Sequence, residues 1–269
     1  MNTVLTVAGS DCSGGAGIQA DLKTIGAFGL YGMSVITAIT VQNTMGVRRV
    51  EPVESDLVGE QLQAVLEDIV PDAIKIGMVV SKENIRALVH VMEEYRVNGR
   101  PLPFIVLDPV LVSTSGRVLL EPEAESALKE ELFPMVDLIT PNLPEAEQLI
   151  GYPIKKNDDR ERAAEALSGK YGCSVLIKGG HGSGADDLLF HVGKGVHSWY
   201  AGARIENSNT HGTGCTLSSA IACGMAQGKI LEEAVADAKV YITGAIGAGL
   251  DLGKGNGPLN HFYHFVNNL

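Results

Sequence analysis

The stretch Asn209-Thr210-His211-Gly212-Thr213-Gly214-Cys215-Thr216 holds the densest chemical information in this chain. Gly212 and Gly214 flank Thr213, Cys215 follows at once, and an apolar run of small residues, Leu217 to Met225, starts just behind. That run reads as a buried helix, so the glycines and Cys215 fall at its N-terminus. Unpaired backbone N–H groups and the helix dipole favour an anion there, and glycine lets the backbone approach that anion closely. The same dipole favours thiolate over thiol, which predicts a lowered pKa for Cys215. The segment thus offers a phosphate or oxyanion cradle with a base or nucleophile inside it. Its plainer reading is a helix cap followed by a buried small hydrophobe, since free cysteines are often buried.

A second group of residues sits just past strand-like runs. Asp108 follows Phe104-Ile105-Val106-Leu107 and precedes Pro109. Asn142 and Glu145 lie in Thr140-Pro141-Asn142-Leu143-Pro144-Glu145, again directly after an apolar run. Two carboxylates and an amide at neighbouring strand ends could hold Mg²⁺, which proteins bind with one or two carboxylates plus phosphate oxygens. The spacing of Asn142 and Glu145 also fits a helix cap with its partner three residues on, and the two roles are compatible. Lys178 ends the run Ser174 to Ile177 and precedes Gly179-Gly180-His181, where its ammonium either neutralises phosphate charge or lies on the surface.

These residues need a frame that brings them together. Strand-like runs alternate with helical patterns along the chain. A first strand from Thr3 ends at Gly9, and the turn Ser10 to Gly17 leads into a helix over 18–28. A strand over 33–41, a helix over 55–69 capped by Ser55, a strand over 73–76 and a helix over 81–97 follow. Further strands are read at 104–107, 136–140 and 174–177. Continuous Val/Ile/Leu runs alternating with helices indicate a parallel sheet covered on both faces. From Asp187 to Asn207 short alternating runs suggest antiparallel strands at one edge. Two helices, 212–227 and 231–248, close the pattern before a glycine-rich tail, Gly253-Lys254-Gly255-Asn256-Gly257. No linker, repeat or low-complexity block interrupts it, so residues 1–269 are expected to form one domain. In such sheets ligands bind beyond the carboxyl ends of the strands. That rule selects Asp21 with the turn before it, Gln42-Asn43, Gly77-Met78, Asp108, Asn142 with Glu145, and Lys178.

The bulk properties limit the partners. The 269 residues carry a formal net charge of −11, and glycine is abundant at 32 residues. An acidic chain lacks the clustered Lys and Arg that a nucleic-acid backbone requires. No apolar stretch reaches the roughly 18 residues of a membrane span. Cys12, Cys173, Cys215 and Cys223 form no Cys-x-x-Cys pair, so neither a zinc knuckle nor a dithiol motif is visible. The expectation is a soluble, cytoplasmic protein with reduced thiols and no nucleic-acid or membrane partner. Neither a Gly-x-x-x-x-Gly-Lys-Ser/Thr loop nor a Gly-x-Gly-x-x-Gly after the first strand is present. A nucleotide enzyme here must use another cradle, and 212–215 is the strong candidate.

Taken together, the motifs resemble the ribokinase-like superfamily, and within it the bacterial hydroxymethylpyrimidine/phosphomethylpyrimidine kinases of thiamine biosynthesis. The matching stretches are Ala8-Gly9-Ser10-Asp11 with Gly14 to Thr24, Ala38-Ile39-Thr40-Val41-Gln42-Asn43-Thr44 and Lys75-Ile76-Gly77-Met78. They continue with Leu107-Asp108-Pro109-Val110, Thr140 to Ala146, Ile177 to His181 and Asn209 to Thr216, in the family's order over nearly the whole chain. The resemblance implies a ribokinase-like three-layer α/β/α fold with a mostly parallel central sheet, and a kinase using ATP and Mg²⁺. Gly212, Thr213, Gly214 and Cys215 would form the anion hole for the transferring phosphoryl group. Cysteine stands where most ribokinase-like enzymes carry a basic aspartate. Asn142, Glu145, Lys178 and Thr213 would meet the ATP phosphates, with Asp108 and Glu145 near Mg²⁺. Gly9, Asp21, Gln42 and Met78 would line a pyrimidine pocket, and an amide such as Gln42 both donates and accepts, as an aminopyrimidine edge requires. A homodimer is expected.

Three alternatives stay open. Some pyridoxal kinases share the fold and the cysteine anion hole, but carry a second cysteine in the flap where this chain reads Leu111-Val112-Ser113-Thr114-Ser115-Gly116. A non-catalytic ligand-binding relative would keep the pocket without the chemistry. Cys215 with His211 could form a thiol-hydrolase pair, for which no third orienting residue is evident.

Overall fold

The computed structural model describes residues 1–111, 116, 119–180, 184–202, 205 and 207–266. Nine strands form one sheet in the order β3-β2-β1-β4-β5-β6-β7-β8-β9. These are β1 (Thr3–Asp11), β2 (Tyr31–Asn43), β3 (Gly46–Pro52), β4 (Ala73–Ile76), β5 (Phe104–Leu107), β6 (Leu138–Ile139), β7 (Ser174–Ile177), β8 (Asp187–His191) and β9 (Val196–Tyr200). The six strands β2, β1, β4, β5, β6 and β7 run parallel. Antiparallel strands extend both edges: β3 beside β2, and β8 with β9 beside β7. The sequence pattern marks the second extension and misses the first. Residues 46–52 read Gly-Val-Arg-Arg-Val-Glu-Pro and are mostly exposed, so they lack the apolar run that identifies a buried strand.

Helices cover both faces. One layer holds α2 (Ser55–Asp68), α3 (Lys82–Val97), the short α4 (Ala124–Ala127), α5 (Leu143–Ile150) and α6 (Asn157–Tyr171). The other holds α1 (Gly17–Ala27), α7 (Thr213–Ala226) and α8 (Leu231–Gly247), and α9 (Tyr263–Val266) ends the described chain. The strands alternate between the layers with period two. Ile74, Ile76, Ile105, Leu107, Val175 and Ile177 join the core with α2, α3 and α6. Ala73, Val106 and Leu176 face α1, α7 and α8. The three-layer expectation therefore holds, with helix ends shifted by a residue or so. Ser55 is not the cap of α2: Glu54 holds that position and Ser55 is already helical. Ser81 does cap α3, accepting from the Asn84 N–H at 3.2 Å.

Lys75 breaks the apolar pattern of β4. It faces the α1/α7 layer and is wholly buried. Its Nζ donates to Asp21 Oδ2 at 2.8 Å, and both side chains are 0% exposed. Hydroxyls of Thr6 (2.6 Å) and Ser219 (2.8 Å) donate to the same carboxylate. Asp21 thus lies in the core between α1, β1, β4 and α7, and does not line the cavity described below. Its expected place in the substrate pocket is corrected: the helical turn that carries it points it at Lys75, and three donors use its oxygens.

Candidate active site

The parallel register lines up the residues just beyond the strands. Val7 pairs with Ile76, Ile76 with Leu107, and Leu107 with Ile139. Gly77, Asp108 and Thr140 therefore emerge side by side, and an Asn142–Lys178 bridge continues the row past β6 and β7. A cavity of about 730 Å³ runs along this edge. It lies within the usual range for ligand sites. Gly9, Gln42, Met78, Asp108, Asn142, Glu145, Lys178, Gly212, Thr213, Gly214 and Cys215 all line it, so the structure brings together every expected site residue except Asp21.

The α7 N-terminus forms the floor. Gly212 takes φ 84°, a left-handed conformation, and a Cβ there would fall 1.9 Å from the Gly15 carbonyl oxygen. Only glycine fits that crossing. A Cβ on Gly214 would lie 2.9 Å from Asp108 Oδ2 and 3.2 Å from Lys178 Nζ. That closeness puts the Asp108–Lys178 pair directly over the first turn of α7, whose N–H groups have no partners within the helix. Lys178 Nζ donates to Asp108 Oδ1 at 2.5 Å, and the Thr140 hydroxyl reaches the same oxygen at 3.3 Å.

Asn142 and Glu145 form a full capping box at the start of α5. Asn142 Oδ1 accepts from the Glu145 N–H at 2.9 Å, and Glu145 Oε2 accepts from the Asn142 N–H at 2.8 Å. The cap fixes a carboxylate at the cavity wall. Burial pushes the Glu145 carboxyl up to about 7, with Lys178 opposing and Asp108 reinforcing the shift. Burial alone would depress Lys178, but Asp108 and Glu145 outweigh it and hold its ammonium above the ordinary lysine value. Lys178 is thus a permanent cation between two carboxylates.

Cys215 departs from expectation. Burial raises its thiol to about 11; Lys75 opposes the shift, and the carboxylates of Asp21 and Asp108 add to it. Desolvation next to two anions disfavours the thiolate. This direction is opposite to the lowered pKa expected for Cys215 from its helix position.

Gln42 and Met78 lie at the β1/β2 end. The Gln42 amide is 2.9 Å from His211 Nε2 and 3.3 Å from the Thr40 hydroxyl. His211 Nε2 is also 2.8 Å from Asp11 Oδ2. Its ring nitrogen is therefore engaged by Asp11 and Gln42, which removes the support for a Cys215–His211 hydrolase pair. Asp11 in turn organises the glycine-rich turn after β1. It accepts from the Ser13 N–H and hydroxyl and from the N–H groups of Gly15 and Ala16. Burial would raise its pKa, but the hydrogen bonds from His211 and Ser13 prevail and bring it to about 2. Sequence reasoning passed over Asp11 as a turn residue. The signal was its place two and four residues before Ser13 and Gly15, the spacing of an Asx turn.

The far end of the cavity is walled by Asn207, Lys239, Ile242, Thr243 and Ile246. Lys239 Nζ donates to Asp187 Oδ2 at 2.7 Å, and Asp187 Oδ1 accepts from the Gly179 N–H at 2.7 Å. At the other end the glycine-rich tail packs on the β2–β3 turn, where Thr44 Oγ1 accepts from the N–H groups of Lys254 and Gly255. Val112 to Ser115 of the flap, and His181, lie outside the described residues.

Comparison with known proteins follows the same lines. A family model described as phosphomethylpyrimidine kinase matches residues 11–260. The hydroxymethylpyrimidine/phosphomethylpyrimidine kinase of Rhizobium meliloti is 48% identical over 97% of this chain and 97% of its own. The thiamine biosynthesis bifunctional protein of Geobacter sulfurreducens is 49% identical over 96% of this chain, which spans about half (52%) of that longer protein. Among solved structures, a phosphomethylpyrimidine kinase from Clostridium difficile superposes with a TM-score of 0.80 at 46% identity, covering 91% of this chain and 100% of that one. An ADP complex of a Bacillus subtilis pyridoxal kinase gives 0.87 at 35% identity, covering 99% and 100%.

Proposed function

The chain belongs to the phosphomethylpyrimidine kinase family, and we propose the following chemistry for its cavity. The enzyme transfers the terminal phosphoryl group of ATP to the hydroxymethyl oxygen of 4-amino-5-hydroxymethyl-2-methylpyrimidine. It then phosphorylates the resulting monophosphate to the diphosphate, for thiamine biosynthesis. Residues 1–269 act as one kinase domain. One observation carries the reading: an α-helix N-terminus with a glycine cradle, a Lys–Asp pair above it and an amide at the other wall converge on a single cavity.

Phosphoryl transfer depends mainly on positioning and on neutralising charge. The N–H groups of Gly212, Thr213, Gly214 and Cys215 receive the transferring group, where preformed donors act without reorganising. Lys178 meets the same charge from above. Asn142, Glu145 and Thr213 would border the phosphates, and the apolar wall of Ile242 and Ile246 would take the nucleotide's base. Gly9, Met78 and Gln42 hold the pyrimidine with its hydroxymethyl group toward the cradle. Cys215, a thiol at rest, acts first as part of the cradle. Taking the acceptor's proton would require the thiolate, which the α7 N–H groups favour and the bound phosphates oppose.

The donor set suits Mg²⁺. Among the described residues no three His, Cys, Asp or Glu side chains are placed to hold a metal by themselves. Asp108 and Glu145 supply two carboxylates beside one ammonium, which fits a cation sharing its coordination with phosphate oxygens and water. Bound there, Mg²⁺ would supply charge neutralisation on those phosphates. A homodimer in the cytoplasm remains part of the proposal; the described residues contain no helix long and apolar enough to cross a membrane.

The likeness to a pyridoxal kinase structure makes pyridoxal the second candidate acceptor. ATP consumption against a panel of the hydroxymethylpyrimidine, pyridoxal and sugar alcohols separates the readings. The expected result favours the pyrimidine in kcat/KM by at least about tenfold, since pyridoxal leaves the Gln42 amide partly unpaired. Equal or better turnover of pyridoxal would overturn the substrate assignment.

A further inference from the structure

An amide reads a pyrimidine edge only when its N–H and C=O ends are held the right way round. The surroundings of Gln42 decide which way that is. Asp11 is an anion whose Oδ2 already accepts from the N–H groups of Gly15 (3.1 Å) and Ala16 (2.9 Å). A carboxylate only accepts. His211 Nε2, 2.8 Å from that oxygen and buried, must therefore carry its proton and point it at Asp11. The conformer with Gln42 Nε2 at 2.9 Å from His211 Nε2 then sets two donors against each other.

Half a turn of the amide removes the conflict. Gln42 Oε1 then shares the His211 N–H with Asp11 Oδ2, both lying within 2.9 Å of Nε2, and Gln42 Nε2 donates to the Thr40 hydroxyl, whose own proton goes to the Ser10 carbonyl at 3.0 Å. Every donor in the chain Asp11–His211–Gln42–Thr40–Ser10 now meets an acceptor. We infer that His211, held by Asp11, is a positioning residue that locks the Gln42 amide with its oxygen on the His211 side and its nitrogen on the β2 side. The lock makes the cavity select a ring-nitrogen acceptor beside an exocyclic amine donor, with the amine toward His211. The reverse pattern, a ring N–H beside a carbonyl, is rejected. The ring cannot turn over to escape this, because its hydroxymethyl group must still face the cradle.

This inference rests on Gln42 being the pyrimidine contact. The test compares binding of 4-amino-5-hydroxymethyl-2-methylpyrimidine with that of its 4-oxo analogue, by calorimetry, so turnover does not enter. The unmodified protein should prefer the amino compound by at least about tenfold. Gln42→Leu should abolish the preference; if it does not, the pyrimidine-contact reading itself fails. His211→Phe keeps the ring volume and frees the amide, and should bring the two affinities to within about threefold. Asp11→Asn should shift the ratio the same way, because an amide at position 11 lets His211 take the other tautomer. It carries the expectation alone if His211→Phe does not fold. A general packing defect would weaken both ligands and leave the ratio intact. Preference for the 4-oxo compound in the unmodified protein would overturn the lock. So would an unchanged ratio in the folded His211 and Asp11 variants, with Gln42→Leu still losing the preference.

Discussion

Two lysine–aspartate pairs lie along the same sheet, one within it and one beyond its carboxyl edge, and they have opposite surroundings. Lys75 and Asp21 are 2.8 Å apart with both side chains 0% exposed. Lys178 and Asp108 are 2.5 Å apart with side chains 11% and 3% exposed, and they line the cavity. The first pair is closed. Thr6 and Ser219 complete the Asp21 carboxylate, and helices α1 and α7 seal it from water. The second pair is left in excess: Glu145 adds a further carboxylate to one ammonium, and a burial-raised carboxyl of about 7 records the strain. Buried polar groups that satisfy one another hold a fold together. Charged groups that remain unbalanced beside a cavity are where a ligand can add something.

That contrast gives the largest expected effect to the sealed pair. Lys75→Met leaves Asp21 charged and buried, and should cost about 3–5 kcal/mol of stability, the usual penalty for removing one partner of a buried ion pair. Urea unfolding measures it, and a loss below about 1 kcal/mol would mean that water reaches Asp21. Lys178→Met should do the reverse. Its kcat should fall about 10²–10³-fold, as for loss of one donor to developing charge, with a smaller shift of the urea midpoint than Lys75→Met. A variant that loses stability but retains its rate would merge the two pairs into one structural class.

The same division orders the weaker effects. Cys215→Ala should lower kcat by less than the roughly 10²-fold that general-base catalysis contributes at minimum, because the resting thiol is held up near 11. A larger loss would make Cys215 the base. Asp108→Asn and Glu145→Gln should each raise the Mg²⁺ concentration that gives half-maximal rate. Unchanged Mg²⁺ dependence in both would reduce them to loop supports.

The smallest effect is a pH dependence. The Glu145 carboxyl binds its proton more tightly in the folded state, at about 7 against an ordinary 4.5. Stability from this group is thus full below about 4.5 and is lost as pH rises through about 7. The urea midpoint of the unmodified protein should fall across that window, and Glu145→Gln should flatten the fall. Parallel curves for the two proteins would show Glu145 ionised throughout.

Much of the frame was legible because buried parallel strands are written as short apolar runs. The boundaries 73–76, 104–107 and 174–177 match the structure residue for residue. β3 was not legible, since an exposed edge strand of Val-Arg-Arg-Val carries no burial signal. At the site, strand-end position identified Asp108, Asn142, Glu145 and Lys178, because topology alone places them. It failed for Asp21, where the rotation of α1 decides which way a carboxylate points. It also failed for Asp11 and His211, two hundred residues apart in sequence, whose contact exists only once the turn after β1 meets the loop before α7. For Cys215 the helix dipole is a local property legible in the sequence, whereas the burial that raises its thiol is a tertiary one.

The central claim is that this cavity phosphorylates an aminopyrimidine alcohol and that the open pair, not the sealed one, serves the chemistry. The most direct measurement follows products by mass spectrometry after incubating ATP, Mg²⁺ and the hydroxymethylpyrimidine with the unmodified protein and with folded Lys178→Met. The account predicts monophosphate and then diphosphate from the unmodified protein, and both steps slowed about 10²–10³-fold in the variant. Absence of pyrimidine phosphates from the unmodified protein, or their formation at an undiminished rate by Lys178→Met, would contradict it.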